Sequence, residues 1–344
     1  MRSAAENLSR RNILGWGLGA AAWLGGGCGR RAHPAPRKIV VSVRPNLYMA
    51  AFYLAQERGY FQQAGLELDL QPVEEGHQVA TLLASGKLDV AFSALLAPLV
   101  SVIGSGADVR IVAGGQRLTA DCSDVGRLWG NRRSFPRGFD SLASLKREFA
   151  GKRMALNSLS NTNAYYLDVL LDKAGLRETD IKIVQVRYSE AVTAVLRGRL
   201  DAFMSADQFS VQKVADSPEL IRGAGLVEAL PGFQYRFVSF GKGLLQADPG
   251  VGVRFLRAYF KGVADFRKGQ SPRFLDEFAR SNALDVDRAR ISCRSSNAVD
   301  GEIDADSVAR QVEWYVKKGF CSQKAGAQQM ADRRFLQRLQ KEGA

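Results

Sequence analysis

A short polar run at residues 158–162 carries the clearest binding chemistry in this sequence. It lies directly before an apolar, helix-periodic segment, where the free backbone N–H groups of a first helical turn attract anions. We predict that the run binds a sulfonate, nitrate or carboxylate group. Plain helix capping, which Ser, Thr and Asn perform in many helices, is the open alternative. The candidate residues are Ser158, Ser160, Asn161 and Thr162.

Further candidate ligand contacts lie in loops that follow predicted strands. Arg44 is a candidate to neutralise an anion, Tyr48 to stack on a flat ligand, and Asp207 to bind an amine or ring nitrogen. Each has a structural alternative: a surface position for Arg44, core packing for Tyr48, and an ion pair with a nearby Arg for Asp207. The remaining candidates are Asn46, Ser93, Gln116 and Gln208.

Sequence motifs of catalysis are missing. No glycine-rich phosphate loop, HExxH or GxSxG pattern occurs. The two histidines are His33, in a tether-like stretch, and His77, at a predicted helix start, and we predict that both are solvated. We therefore predict a binding protein that is not an enzyme and that uses no cofactor and no metal.

The elements that must position the candidate residues alternate between strand and helix. Residues 38–43 form a β-branched run typical of a buried strand, 49–61 have helical spacing, and 66–70 alternate like a strand. A comparable series begins at Arg153 and includes a helix over 163–174. This alternation predicts two α/β lobes with largely parallel sheets. Ligands of such sheets bind at the carboxyl ends of the strands, so we predict a ligand cleft between the lobes.

One strand motif occurs twice, a little over a hundred residues apart. LDVAFS at 88–93 aligns with LDAFMS at 200–205, and an apolar helix and a basic residue precede both copies. The two copies indicate a duplicated lobe and not a solenoid. The loops after them predict that Ser93 and Asp207 lie on opposite walls of the cleft.

The domain boundaries follow from these patterns. We predict that 39–118 and 241–344 form lobe 1 and that 119–240 form lobe 2, with a strand at 235–240 carrying the chain back. Residues 119–150 are less regular, and the chain beyond 250 is predicted to be helical. The predicted helices of this last region cover 251–267, 272–281, 306–318 and 324–341.

Export signals occupy the amino terminus. SRRNIL at 9–14 resembles a twin-arginine motif, and the apolar stretch after it is too short to span a membrane. LGGGC then ends at Cys28 and resembles a lipoprotein cleavage box. We predict a signal peptide over 1–27, lipidation of Cys28 as a membrane anchor, a tether over 28–38, and a place in the periplasm or at the cell surface. An ordinary signal peptide with an incidental Cys28 is the alternative.

The charge and the cysteines restrict the partners. The formal net charge is +13, but no basic run with interleaved aromatic residues follows position 38, so we predict no nucleic acid partner. Cys122, Cys293 and Cys321 lack CxxC spacing, which argues against zinc. A disulfide is permitted in an exported protein, and Cys293 with Cys321 is the candidate pair. Three separate thiols are the equal alternative.

Several stretches resemble a known family. AQERGYF at 55–61, with GLEL at 65–68, resembles the A-x-E-x-G-Y-F-x-x-x-G-L-x-V signature of periplasmic solute-binding proteins of ABC importers. The branch it resembles is the nitrate, sulfonate, taurine and thiamine-precursor group, the NMT1/THI5-like domain. Residues 82–92 match the next signature of this family, and 142–156 resemble the start of its second lobe, with Ser144 where Asp is usual. The resemblance covers residues 38–240.

The resemblance implies a two-lobed α/β fold of the type II periplasmic-binding-protein kind, which closes on a small anionic or zwitterionic solute. It also implies an ABC permease in the inner membrane as partner, and we predict a monomer. An enzyme of the thiamine-precursor type and a sensory solute-binding protein are the alternatives. The eukaryotic enzymes of this superfamily use a Cys-rich motif and an active-site His, which this sequence lacks. The insert at 119–139 departs from the short link that is usual in the family, and its role is open.

Overall fold

The computed structural model describes residues 36–44, 46–73, 76–205, 217–282, 284–291, 293–321 and 326–343. Within these ranges the ten strands are β1 (Arg37–Val43), β2 (Leu66–Pro72), β3 (Val90–Ser93), β4 (Arg110–Gly114), β5 (Arg127–Asn131), β6 (Arg153–Leu156), β7 (Lys182–Gln185), β8 (Ala202–Met204), β9 (Leu220–Gly225) and β10 (Phe237–Phe240).

The helices of the same ranges are α1 (Ala50–Glu57), α2 (Tyr60–Gln63), α3 (Gly76–Ala84), α4 (Ala97–Gly104), α5 (Leu142–Glu148), α6 (Thr162–Ala174), α7 (Tyr188–Leu196), α8 (Leu226–Ala229), α9 (Lys242–Leu245), α10 (Pro249–Arg267), α11 (Arg273–Ser281), α12 (Val286–Ile291), α13 (Ala305–Lys317), α14 (Ala327–Met330) and α15 (Arg334–Gly343). The single helix predicted over 49–61 is divided between α1 and α2 at Gly59, whose φ is 70°. No helix in the described part of the chain has both the length and the apolar character needed to cross a membrane.

The first sheet has the strand order β2-β1-β3-β10-β4. β1 runs parallel to β2 and to β3, whereas β10 runs antiparallel to β3 and β4. All four residues of β3 are buried, as its continuous run of small and apolar residues predicts. β10 therefore returns the chain to the first sheet, as the sequence predicted for the strand at 235–240.

The second sheet repeats this arrangement in the order β7-β6-β8-β5-β9. β6 runs parallel to β7 and β8, and β5 runs antiparallel to β8 and β9. β5 lies within residues 119–150, where the sequence pattern is less regular and predicts no strand. Each sheet thus receives its antiparallel fourth strand from a crossing segment: β5 before the second series and β10 after it. The exact division into lobes at 118 and 240 stays a prediction.

Two crossing segments connect the sheets. They meet where Leu118 N donates to Phe233 O at 2.8 Å and where Arg117 bridges to Gln234. A third segment near Asn297 lies beside them, because Arg117 N donates to Ser296 O at 2.8 Å. The connection between the sheets is therefore a small bundle of extended segments and not a single linker.

A disulfide joins Cys122 to Cys293, with Cα atoms 4.6 Å apart. The candidate pairing of Cys293 with Cys321 is wrong, because the third connecting segment brings Cys293 beside the residues that lead into β5. Cys321 is instead a buried free thiol, 3.5 Å from the carbonyl oxygen of Ala97. The bond therefore ties a region near the carboxyl terminus to the start of the second sheet.

The carboxyl-terminal helices cover both sheets. α10 packs closely on α1, since a Cβ at Gly262 would lie 2.4 Å from the carbonyl oxygen of Ala51. α13 contacts α6, because Trp314 Nε1 donates to Asp168 Oδ2 at 2.9 Å. Lys318 follows α13 and pairs with Asp168 at 3.1 Å. These helices therefore pack against an element of each half of the chain.

Candidate functional site

A cavity of about 570 Å³ opens between the carboxyl-terminal edge of the first sheet and the loop that precedes α6. Ser42, Arg44 and Ser93 reach it from the ends of β1 and β3. The polar run at 158–162 faces them from the second sheet. This volume lies within the range of small-molecule binding pockets.

The cavity brings together most of the described sequence-predicted site residues. Those that line it are Arg44, Tyr48, Ser93, Ser158, Ser160, Asn161 and Thr162. They come from chain segments more than a hundred positions apart, as expected if strand ends from two sheets meet. Their role in binding a ligand stays a prediction.

Two of the other predicted residues have different positions, and two lie outside the described residues. Gln116 is 4% exposed and lies in the crossing region, where its Nε2 donates to Asn297 Oδ1 at 3.3 Å. Asn46 Oδ1 accepts from Tyr48 N at 3.2 Å and caps a 3₁₀ turn. Asp207 and Gln208 lie outside the described residues, and so does the predicted lipidation site Cys28.

Sequence reasoning missed four polar residues that line the cavity: Ser42, Asn157, Asn163 and Arg236. Ser42 lies at the carboxyl end of β1, just before the predicted ligand loop that begins at Arg44, so its position at a strand end was a usable signal. Asn163 follows the predicted polar run directly. Arg236 had no comparable signal, since it belongs to the second crossing segment and comes to the cavity only through the tertiary fold.

Three buried polar side chains of the cavity lack a protein partner. Ser42, Ser93 and Asn163 are 6%, 9% and 8% exposed, and no side-chain hydrogen bond to another described residue is formed by any of them. Buried polar groups in proteins nearly always have a partner. These hydroxyl and amide groups are therefore available to a bound molecule.

Arg236 is held in place mainly by an aromatic ring. Its guanidinium carbon lies 4.1 Å from the ring centroid of Tyr48, a cation–π distance. Its Nε is buried and has no hydrogen-bond partner in the described structure. Burial raises the pKa of Tyr166 in α6, and the nearby positive charge of Arg236 partly opposes this effect. Arg236 therefore lies close to the amino-terminal turns of α6.

The start of α6 is both capped and available to an anion. Asn161 Oδ1 accepts from Ala164 N at 3.1 Å, so Asn161 performs the capping role that the sequence left open. Asn161 Nδ2 donates to Asn157 Oδ1 at 2.9 Å, and Ser160 N donates to Ser158 Oγ at 3.2 Å, which orders the loop. The first-turn N–H groups beyond the capped one add positive potential to this wall.

The described lining of the cavity carries a positive charge. Arg44 and Arg236 line it, and no Asp or Glu is present among its described lining residues. Among those parts of the chain that are described, no group of three or more His, Cys, Asp and Glu is placed to hold a metal ion. The absence of a cofactor and of a metal stays a prediction. The arrangement can bind an anion through charge-assisted hydrogen bonds.

Comparisons with known proteins agree with this architecture. The model of the NMT1-like family matches residues 32–218. A relative from Brucella abortus, provisionally named a binding protein, is 22% identical over 244 residues, which cover 71% of this chain and 70% of the relative.

Solved structures show the same fold. A periplasmic sulfonate-binding protein from Methylobacillus flagellatus superposes with a TM-score of 0.70 at 18% identity, covering 90% of this chain and 95% of its own. The aliphatic sulphonate binding protein of Escherichia coli gives 0.67 at 14% identity, with 87% and 92% covered. The desulfurization enzyme DSZB gives 0.55 at 15% identity, with 90% and 100% covered. The predicted two-lobed, periplasmic-binding-protein-like fold is therefore confirmed.

Proposed function

The chain belongs to the NMT1-like family, and from that premise we propose that it is a solute-binding protein that takes a small organic anion into the cavity between its sheets. The observation that carries this proposal is the set of buried, unpartnered polar side chains of Ser42, Ser93 and Asn163. Their hydrogen-bonding groups face a cavity that two arginines make positive. A desolvated anion supplies the acceptors that such a site lacks.

The mechanism is binding with lobe closure and without covalent chemistry. The walls of the cavity belong to different sheets, and the crossing segments near Leu118 and Phe233 are the places where a hinge motion would be absorbed. An anion that contacts both walls binds the closed form more tightly than the open form. Such a ligand shifts the population toward closure.

The importer role extends the proposal. Sulfonate-binding proteins with this fold, from Methylobacillus flagellatus and Escherichia coli, support a sulfonate as the solute. An ABC permease of the inner membrane is the proposed partner, with the protein exported to the periplasm, anchored through Cys28 and acting as a monomer. Neighbouring genes for a permease and an ATPase would support import over sensing.

An enzyme is the second candidate, because the desulfurization enzyme DSZB shares the fold. We propose a binding protein instead, since most of the structural neighbours are binding proteins. No described cysteine presents a free thiol to the cavity as a nucleophile, because Cys122 and Cys293 are joined in a disulfide and Cys321 is buried outside the cavity. Incubation with an aromatic sulfinate and a pyrimidine precursor, followed by chromatography, tests the enzyme. Product formation that persists after removal of contaminating activity would support it.

The direct test is thermal unfolding and calorimetry of the mature chain with taurine, alkanesulfonates, nitrate and aminopyrimidines. A ligand at a hundred times its Kd stabilises a protein by about 2.7 kcal/mol, which raises Tm by several degrees. Asn163→Ala should reduce this shift. Arg280→Gln, whose side chain is 68% exposed and pairs with Asp276, is the matched surface control. Stabilisation by none of these solutes would contradict the proposal.

A further inference from the structure

Within the described part of the chain, the two arginines of the cavity have no carboxylate partner. Neither Arg44 nor Arg236 forms an ion pair with an Asp or Glu of the described chain. By contrast, buried Arg127 pairs with Glu228 at 2.7 Å. Both arginines are half-buried, and the described chain offers neither of them a carboxylate. Two such cations lining one cavity favour a ligand that brings more than one negative charge.

The cavity has two candidate anion-binding points. The first is formed by residues of the second crossing segment and of α6. Arg236 stacks on Tyr48 and has a buried Nε without a partner. The side chain of Asn163, 8% exposed and without a protein hydrogen bond, lines the cavity beside the start of α6. The first-turn N–H groups of a 13-residue helix add a partial positive charge at the same wall. These groups are suited to one oxoanion.

The second point is at the edge of the first sheet. Val41 lies opposite Val90 in the parallel pair β1 and β3, so Arg44 and Ser93 reach the same edge. Ser42 is the penultimate residue of β1, Arg44 follows the end of this strand, and both line the cavity. Ser42 and Ser93 are 6% and 9% exposed, they line the cavity, and their hydroxyl groups form no hydrogen bond to another described residue. Arg44 and these two serines therefore provide donors for another oxoanion.

We propose that the cavity selects a dianionic organic acid, with one anionic group bound at Arg44, Ser42 and Ser93 and the other at Arg236, Asn163 and the start of α6. This inference rests on the proposed function and narrows its ligand from any small anion to a dianion. A cavity of about 570 Å³ has room for two such groups joined by a short carbon chain. A zwitterion such as taurine should bind less tightly than a dianion, because its ammonium group would lie beside one of the positively charged arginines.

Calorimetry with matched ligands tests the inference. The panel compares ethanesulfonate, taurine and ethane-1,2-disulfonate, and then propionate with succinate, on the mature full-length chain at one ionic strength. We expect each dianion to bind about tenfold or more tightly than its singly charged partner, because a second charge-assisted set of hydrogen bonds is formed. The comparison uses the wild-type protein, so it does not depend on the folding of a variant.

Single variants distinguish two separate anion-binding points, one at each arginine, from a single point that both arginines share. Arg44→Gln and Arg236→Gln should each lower the affinity for the disulfonate more than the affinity for ethanesulfonate, so that the preference for the dianion is lost. Arg280→Gln makes the same charge change on the surface and should retain the full preference. Circular dichroism and Tm of each variant verify that the fold is kept.

The outcomes distinguish this inference from the proposed function. Ethanesulfonate or taurine binding as tightly as the disulfonate overturns the dianion inference and leaves the anion receptor standing. Loss of ethanesulfonate binding in both arginine variants also overturns it, because the arginines then share one anionic group. Binding of no anion at all overturns both proposals.

Discussion

The two copies of the Leu-Asp strand motif build their sheets in the same way. In the first sheet, Asp89 Oδ2 accepts from Val40 N of β1 at 2.9 Å. In the second sheet, Asp201 Oδ2 accepts from Arg153 N of β6 at 2.8 Å. In both sheets the carboxylate of the motif thus binds the backbone of the neighbouring parallel strand. The repeated residues therefore encode strand register in both sheets.

The copies differ at their last residue. Ser93 ends the first motif, lines the cavity and has no side-chain partner in the described structure. Ser205, at the aligned position, is completely buried, and its Oγ donates to the carbonyl oxygens of Asp124 and Arg127. One copy thus ends at the cavity, and the other supports the segment that leads into β5. The same motif can serve binding or architecture, depending on what lies beside its end.

The largest expected effect concerns the disulfide, which ties the start of the second sheet to Cys293 and has no counterpart in the first. The double variant Cys122→Ser/Cys293→Ser should lose about 3 kcal/mol of unfolding free energy, because the unfolded chain gains freedom. Urea denaturation with and without reductant measures this loss. Cys321→Ala is the matched control and should respond to reductant like the wild type. Equal stability of the double variant and the wild type would contradict the bond.

The second-largest expected effect concerns Asp89 and Asp201, whose carboxylates bind the backbone of the neighbouring parallel strand. Asp201 also pairs with Arg153 at 3.0 Å and accepts from Ser134 Oγ at 2.7 Å. Asp201→Asn should therefore cost about 2 kcal/mol, because hydrogen bonds to a charged group are lost, whereas Asp89→Asn should cost about 1 kcal/mol. Urea denaturation of both variants checks the order. A larger loss for Asp89→Asn would break the comparison.

The terminal serines should separate stability from binding. Ser205→Ala should lower stability by about 1 kcal/mol through the lost hydrogen bonds and leave ligand affinity unchanged. Ser93→Ala should change stability by less than about 0.5 kcal/mol and weaken the tightest-binding anion roughly fivefold. Paired denaturation and calorimetry measure both quantities. Reduced ligand affinity of Ser205→Ala would contradict this prediction, because the terminal serines of both motif copies would then act on the ligand.

The smallest effect is a pH dependence of the second sheet. Burial acts to raise the pKa of Asp201, but hydrogen bonds from Arg153 and Ser134 outweigh it and lower the pKa to about 2. This value is below the ordinary value of about 3.9, so the stabilisation is present above pH 4 and is lost as the pH falls toward 2. After solvent screening, we expect a loss of less than about 1 kcal/mol between pH 5 and pH 3. Asp201→Asn should flatten this part of the pH profile; an unchanged slope would contradict the assignment.

Much of the fold could be predicted from local patterns. The buried run of β1, the fully buried β3 and the helix closed by Gly175 at φ 69° all occur where the sequence indicates them. β5 was missed, because its pairing with β8 and β9 depends on strands that are distant in sequence. The candidate disulfide was wrong for the same reason, since sequence proximity does not determine which cysteines meet.

The site was predictable only in part. The polar run at 158–162 and Ser93 could be located because strand ends and helix starts have recognisable sequence signals. Arg236 could not, because its position next to Tyr48 results from the second crossing segment. Gln116 is the opposite case. It follows β4, where a ligand-binding loop is expected, but its side chain contacts Asn297 in the crossing region.

Local sequence thus specified the elements, the caps, the family signatures and the duplicated motif, because these depend on neighbouring residues and on short-range periodicity. Tertiary structure alone determined that Cys122 meets Cys293 and that Arg44 and Arg236 line the same cavity. It also determined that Ser93 faces this cavity, whereas the Ser205 hydroxyl group hydrogen-bonds to the backbone. The physical reason is the exchange of β5 and β10 between the two halves of the chain. This exchange brings residues far apart in sequence to the same strand edges.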